Sequence, residues 1–319
     1  MKSFLSVIIC THNPRHDYLD KVLDSLRTQT LPVEKWELLL IDNASDKILS
    51  SEIDLSWHPQ SRHIREEKLG LTSARLRGIQ EAGAETLVFV DDDNVLDLDY
   101  LEVTLQISKD YSFIGAWGGQ IRGEFEVTPP EWTEPYWKYL AIRKFDQNKW
   151  SNLLNQHDTT PCGAGMCVRK IVAEKYANLT QNDSRRLYLD RQGLDHKAQI
   201  LLSCGDTDLA FTACDIGLGT GQFTDLKMTH IMPARRLEKE YLVKLVEGIV
   251  YSHTLLDSFR DKLPERQNTS CKEKLLQYLR QWKMSPIERD FYQATKRGKT
   301  LAKQQILTSN NKNLDSYNN

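Results

Sequence analysis

Acidic and polar side chains gather where the apolar runs of this chain end, and their types suit cation and phosphate chemistry. The run 86–90 leads straight into Asp91-Asp92-Asp93-Asn94. Adjacent carboxylates repel, so holding three of them together costs free energy unless a cation or several donors compensate. Oxygen donors of this kind suit Mg2+ or Mn2+, which usually keep waters and substrate phosphates in their shell. A solvated acidic turn is the competing reading. Two earlier apolar runs, 5–10 and 38–41, end in Thr11-His12-Asn13 and Asp42-Asn43-Ala44-Ser45. A lone Asp after a strand also serves as a turn former or helix cap, which leaves both roles open for Asp42. Further on, Asp206 and Asp208 stand at the start of a helical pattern, where the helix dipole by itself favours carboxylates.

These residues need a frame, and the spacing supplies one. In the first hundred residues short apolar runs alternate with helical patterns, as in βαβ units around a parallel sheet. Tyr18, Leu19, Val22, Leu23 and Leu26 share one helical face, and 72–82 reads as a second helix closed by Gly83. Ligands of such sheets bind beyond the carboxyl ends of the strands, where these acidic residues lie. Between Gly115 and Trp150, four of the seven tryptophans and three prolines predict an irregular aromatic segment. From Leu237 onward the pattern is helical again, and the Asn/Ser-rich tail 307–319 reads as frayed.

Length and composition limit the classes. A chain of 319 residues with 40% hydrophobic and 27% charged side chains buries a large core, which excludes wholesale disorder and a disulfide-stapled miniprotein. The net charge of -2 gives no general attraction to nucleic acid. It averages unlike parts, because 260–305 carries 12 Lys/Arg against 5 Asp/Glu. Six cysteines without a CxxC pair favour reduced thiols, and no apolar run reaches the length of a membrane span or a signal peptide, so a cytoplasmic protein is expected. The usual phosphate cradles are missing: Gly298-Lys299-Thr300 lacks the upstream glycine of a P-loop, and Gly217-Leu-Gly219-Thr-Gly221 does not follow a first strand.

Taken in order, Val7-Ile-Ile-Cys-Thr-His-Asn13, Asp42-Asn-Ala-Ser45, the 70–78 stretch with Arg75, Asp91-Asp92-Asp93, Gly163-Ala-Gly-Met-Cys-Val-Arg-Lys170 and Asp206-Thr-Asp-Leu209 resemble the family-2 glycosyltransferases. The resemblance covers about residues 1–235. It implies an α/β fold of glycosyltransferase-A type, a Rossmann-like mixed sheet flanked by helices. Residues 1–115 would form the nucleotide-binding half and 116–235 the acceptor-binding half. A basic helical extension, 236–319, would follow.

The resemblance also implies an activity: transfer of a sugar from a nucleotide diphosphate donor, most often a UDP-sugar, with inversion at the anomeric carbon. By family position Thr11, Asn13, Asp42, Arg75, Asp91 and Asp92 bind the nucleotide. Asp93 is the main ligand of Mn2+ or Mg2+, with Asp91 and His230, in Thr229-His-Ile-Met-Pro233, as further ligands. The general base is the Asp of a Glu-Asp pair, here Asp206, with Asp208 as the competing candidate. This chain departs from the pattern by carrying Gly205 in place of that Glu. A catalytically silent sugar-nucleotide scaffold is therefore the alternative, with a nucleotidyltransferase behind it.

The acceptor, a glycan or a lipid-linked saccharide, is expected against Gly163, Ala164, Gly165 and Trp117. Core packing competes as the role of the tryptophans. Arg235 and Arg236 suit either a lid over the diphosphate or the solvated start of the next helix. Lys296, Arg297, Lys299 and Lys303 suit peripheral contact with the inner face of a membrane, or a plain solvated helix. No nucleic-acid-binding module accompanies them.

Overall fold

The computed structural model describes residues 4–154, 156–189, 201–260 and 282–317. Cys271 and the basic stretch 261–281 lie outside them. The chain divides into two compact units, Met1–Leu194 with Gly205–Leu237, and Asp195–Cys204 with Glu238–Asn319.

Among the described residues of the first unit nine strands form one mixed sheet. Four of them, β1 (Leu5–Thr11), β2 (Trp36–Asn43), β3 (Ser61–Glu66) and β4 (Thr86–Asp91), run parallel in the order β3-β2-β1-β4. Every residue of β1 is buried, as the near-continuous apolar run of a strand covered on both faces requires. Two helices follow these strands, α1 (His16–Arg27) and α2 (Leu71–Glu81); α1 buries Tyr18, Leu19, Val22, Leu23 and Leu26, the face its spacing predicts. A fully buried side chain of this size contributes about 1.5–3 kcal/mol.

Beyond β4 the sheet continues through five more strands in mixed parallel and antiparallel pairing. They are β5 (Asn94–Leu96), β6 (Ile114–Phe125), β7 (Lys149–Ser151), β8 (Cys167–Arg169) and β9 (Gly219–Met232), and the sheet order beyond β4 is β8-β6-β9-β5, with β7 on β9. Helices α3 (Tyr100–Asp110), α4 (Lys170–Asn182) and α5 (Gly205–Asp215) flank this half. The aromatic segment is less irregular than its prolines and tryptophans suggest. Its first dozen residues are the central strand β6, and the 3-10 helix Glu131–Leu140 holds the remaining irregularity. Strand pairing with β8 and β9 overrides composition here.

The glycines of Gly217-Leu-Gly219-Thr-Gly221 open β9, and Gly298 and Lys299 lie inside a helix, so neither forms a phosphate loop. In the second unit α6 (Lys239–Phe259) packs against α7 (Pro286–Tyr317), with Lys239–Asp290 at 3.0 Å and Arg297–Glu247 at 2.8 Å. Helical backbone extends through Tyr317, where the Asn/Ser-rich composition predicts fraying. Among the described residues no helix is long and apolar enough to cross a membrane.

Candidate active site

Strand register brings the acidic ends together. Thr11 stands opposite Asp42, and Cys10 opposite Asp91, so β1, β2 and β4 deliver Thr11, Asp42 and Asp91 to one edge of the sheet. On the other side β5 pairs Asn94 with His230, and the Ile231 N–H donates to the Asp93 carbonyl at 2.9 Å. The register thus sets His230 beside Asp93 although 137 positions separate them in the chain.

The three aspartates have different surroundings. Asp91 is raised above the usual carboxylate range, first by burial and then by Asp93 and Asp206, against the opposing pull of Arg75 and His230. Asp92 accepts a short hydrogen bond from the Thr11 hydroxyl, yet burial and the neighbouring Asp93 push it up to about 7. Asp93 is paired: His230 Nε2 lies 3.3 Å from its Oδ1, Arg236 Nη2 3.1 Å from its Oδ2, and the Asn94 amide donates to Oδ1 at 3.0 Å. Arg236 Nη1 also lies 2.9 Å from His230 Nε2, and His230 Nδ1 is 3.1 Å from the Leu140 carbonyl.

Among the described residues no three His, Cys, Asp or Glu side chains meet as a ready-made metal cage. The donor set nevertheless suits a hard divalent ion. Two half-buried carboxylates, raised first by desolvation and then by neighbouring carboxylates, gain from positive charge, and such ions are held by one or two carboxylates with substrate phosphates completing the shell. Asp93, Asp91 and His230 are the residues that would hold it.

Asp206 stands in the first turn of α5. Its Oδ2 accepts the Gly163 N–H at 2.6 Å and its Oδ1 the Thr207 N–H at 2.8 Å. A β-carbon on Gly163 would lie 2.5 Å from Arg75 Nη2 and 3.2 Å from Asp206 Oδ2, so glycine, guanidinium and carboxylate meet at one point. The loop carrying Gly163 is itself secured, with Arg143 and Gln222 donating to the Thr160 carbonyl at 2.6 and 2.8 Å. Gly165 adopts φ +67°, and a β-carbon there would strike Met228 and the Tyr100 hydroxyl. Tyr100 in turn donates to the Gly165 carbonyl.

Several expectations change. Asp208 is 0% exposed and takes both oxygens to Arg186 at 2.6 and 2.5 Å, so it is a buried structural anion and no rival for the base. Trp117 is also 0% exposed, inside β6 between β8 and β9, where it cannot stack on an acceptor. All three of Gly163, Ala164 and Gly165 are buried, and Gly163 is the member of that trio that meets Asp206 and Arg75. Asp42, 3% exposed, accepts from the Ser45 and Leu49 N–H groups and from Arg65 at 2.8 Å. Burial opposes its charge, but the Ser45 hydroxyl, Arg65 and those amides outweigh it and hold Asp42 below the usual range. Its carboxylate therefore fastens the loop and does not stand open to a base.

Asn13 remains exposed at φ +48°, donating its amide to Asp46 at 3.1 Å. Sequence reasoning passes over Arg65, although its place at the end of β3 opposite Asp42 is a legible signal. Arg186 carries no such signal, because no strand register sets it against Asp208.

The glycosyl transferase family 2 model matches residues 6–174. Glycosyltransferase AglE of Haloferax volcanii is 31% identical over 93 residues, which cover 28% of this chain and 30% of AglE, so the matched stretch spans under a third of that relative. S. aureus TarS 1-349, solved in complex with UDP-GlcNAc, superposes at a TM-score of 0.52 with 16% identity, covering 91% of this chain and 79% of that one. Its complex with UDP gives 0.51 and 17%, covering 91% and 80%. At such identity the likeness is one of fold, the mixed α/β sheet of glycosyltransferase-A type. With its ordered strand-end motifs matched by the family model over more than half its length, the chain belongs to glycosyl transferase family 2.

Proposed function

We propose that this protein transfers a hexosyl or N-acetylhexosaminyl group from a nucleotide diphosphate donor, a UDP-sugar, to a glycan or lipid-linked acceptor, with inversion. The observation that carries the proposal is the convergence of Asp206, Gly163 and Arg75 beside the acidic end of β4. The UDP and UDP-GlcNAc complexes of TarS support the donor class.

In this reading the nucleotide lies across the carboxyl edge of β1 and β2, with Thr11 and Asn13 at its rim and the Asp42–Arg65 pair fixing the loop beneath it. Arg75 meets the negative charge of the diphosphate. Asp93, Asp91 and His230 would hold a divalent ion, which would supply Lewis-acid stabilisation of the leaving diphosphate. Asp206, oriented by the Gly163 N–H, takes the proton of the acceptor hydroxyl. The acceptor oxygen bonds to the anomeric carbon as the carbon–oxygen bond to the diphosphate breaks, and the nucleoside diphosphate departs from the opposite face. Gly205 contributes no carboxylate, so in this chain Asp206 acts without the neighbouring Glu of the family pattern.

A lipid-linked acceptor would place the enzyme at an anionic membrane, which the exposed Lys296, Lys299 and Lys303 of α7 support. The deciding experiment is incubation of purified protein with Mn2+ and a panel of UDP-, GDP- and dTDP-sugars. Nucleoside diphosphate release is expected. Nucleotide binding without any transfer or hydrolysis would favour a scaffold, pyrophosphate release from an NTP would favour a nucleotidyltransferase, and no nucleotide binding at all would end the proposal.

A further inference from the structure

The position a cation would take between Asp93 and His230 is spanned by a side chain. Arg236 reaches Asp93 Oδ2 with Nη2 at 3.1 Å and His230 Nε2 with Nη1 at 2.9 Å. A guanidinium has no acceptor, so the short approach to Nε2 requires the imidazole lone pair to point at it. The tautomer that fits this contact carries its proton on Nδ1, toward the Leu140 carbonyl 3.1 Å away. That tautomer is also the one a metal ligand needs, because a second partner on Nδ1 directs the Nε2 lone pair outward. Arg236 therefore contacts both Asp93 and His230, two of the residues that would hold a divalent ion.

The segment bearing Arg236 is attached at its base and short. The Ala234 N–H donates to Glu126 Oε2 at 2.9 Å, and the Arg236 N–H closes a turn on the Pro233 carbonyl at 2.9 Å. Glu126 is itself held by Tyr18 at 2.6 Å and by Arg15 at 2.5 Å. Such an anchor leaves the long Arg236 side chain able to exchange partners while its backbone stays in place.

We propose that Arg236 is a tethered cation that caps Asp93 and His230 until a nucleotide diphosphate arrives. Metal entry requires its displacement, and the diphosphate offers the released guanidinium a bidentate anionic partner. Metal and nucleotide therefore bind cooperatively, each raising the affinity of the other by the same factor. This inference rests on the nucleotide-diphosphate reading above.

The test is Mn2+ titration followed by electron paramagnetic resonance, with and without UDP, on the full chain and on Arg236→Gln and Arg236→Lys. The wild type is expected to bind Mn2+ at least about tenfold more tightly with UDP present. Without UDP, Arg236→Gln should bind Mn2+ about tenfold or more tighter than wild type and show a smaller UDP effect, whereas Arg236→Lys, which keeps a cation, should stay close to wild type. Arg236→Gln binding Mn2+ no more tightly than wild type, or no Mn2+ binding by any form, overturns the proposal. If Arg236→Gln does not fold, wild-type Mn2+ affinity indifferent to UDP, GDP and dTDP overturns it instead. Failure of the nucleotide reading is recognised separately, as wild type that binds Mn2+ but no nucleotide; the comparison of Mn2+ affinities without nucleotide then still decides whether Arg236 caps the pair.

Discussion

The backbone N–H of Gly163 donates a 2.6 Å hydrogen bond to Oδ2 of Asp206, joining the loop before β8 to the first turn of α5 across 43 positions of sequence. A carboxylate so held keeps one orientation, with Thr207 N–H on its other oxygen and Arg75 at its flank. Preorganisation of this kind lets a base meet an acceptor hydroxyl without first reordering itself.

Replacement of Asp206 by Asn should lower kcat by about 10²–10⁴, the usual contribution of a positioned base. The amide oxygen can still accept from Gly163, so the fold and UDP affinity should persist. Calorimetric UDP titration beside steady-state transfer assays checks both halves, and transfer at the wild-type rate would remove Asp206 from the mechanism.

At Gly163 the added methyl of Gly163→Ala would sit 2.5 Å from Arg75 Nη2, closer than real contacts allow. Either Arg75 or Asp206 must shift, and displacements of about 1 Å at a reacting group cost on the order of 100-fold in rate. We expect a kcat loss of roughly 10–100-fold with thermal stability little changed, read from initial rates and melting curves.

The Arg186–Asp208 pair should behave as structure. Asp208→Leu strands a buried guanidinium and should destabilise the catalytic unit by about 3–5 kcal/mol, while Arg186→Met with Asp208→Leu should recover most of the loss. Urea unfolding of the two single variants and the double variant measures this. A stable Asp208→Leu protein that fails only in catalysis would return Asp208 to the site.

His58 predicts acid sensitivity. It lies buried with its ring 4.2 Å from Trp36 and 5.4 Å from Trp57, and burial lowers its pKa from 6.5 to about 4. The unfolded chain binds this proton first as pH falls, so the stability present above about pH 6.5 is lost on the way to pH 4, by about 3 kcal/mol. Asp92, raised to about 7, acts with opposite sign: its contribution is complete below about pH 4 and disappears as pH rises through 7. The wild-type profile sums both. The difference between wild type and His58→Gln, from denaturant unfolding at pH 4.5 and 7.5, isolates the histidine, and identical slopes would contradict the assignment.

Much of this site is legible before folding. The parallel half is written in apolar runs that end in polar residues, because strands buried on both faces must be apolar throughout and their ends must return to water or ligand. Thr11, Asp91–93, Arg75 and Asp206 follow from that pattern together with motif order. Trp117 and β6 are misread because an aromatic strand flanked by glycines looks irregular until β8 and β9 pair with it.

By itself, the sequence determined the class of sheet, the acidic strand ends and the family to which their order belongs. Only the tertiary structure decided what each of the two helix-start aspartates contacts. Asp206 and Asp208 are equivalent as helix N-terminal carboxylates, and no local rule separates them. Packing separates them, by pairing Asp208 with Arg186 in the dry interior and facing Asp206 toward Gly163 and Arg75. The same holds at the acidic turn, where strand register carries His230 to Asp93 and a reverse turn lays Arg236 over both. Such partners lie far apart along the chain, and only the folded sheet fixes their distances.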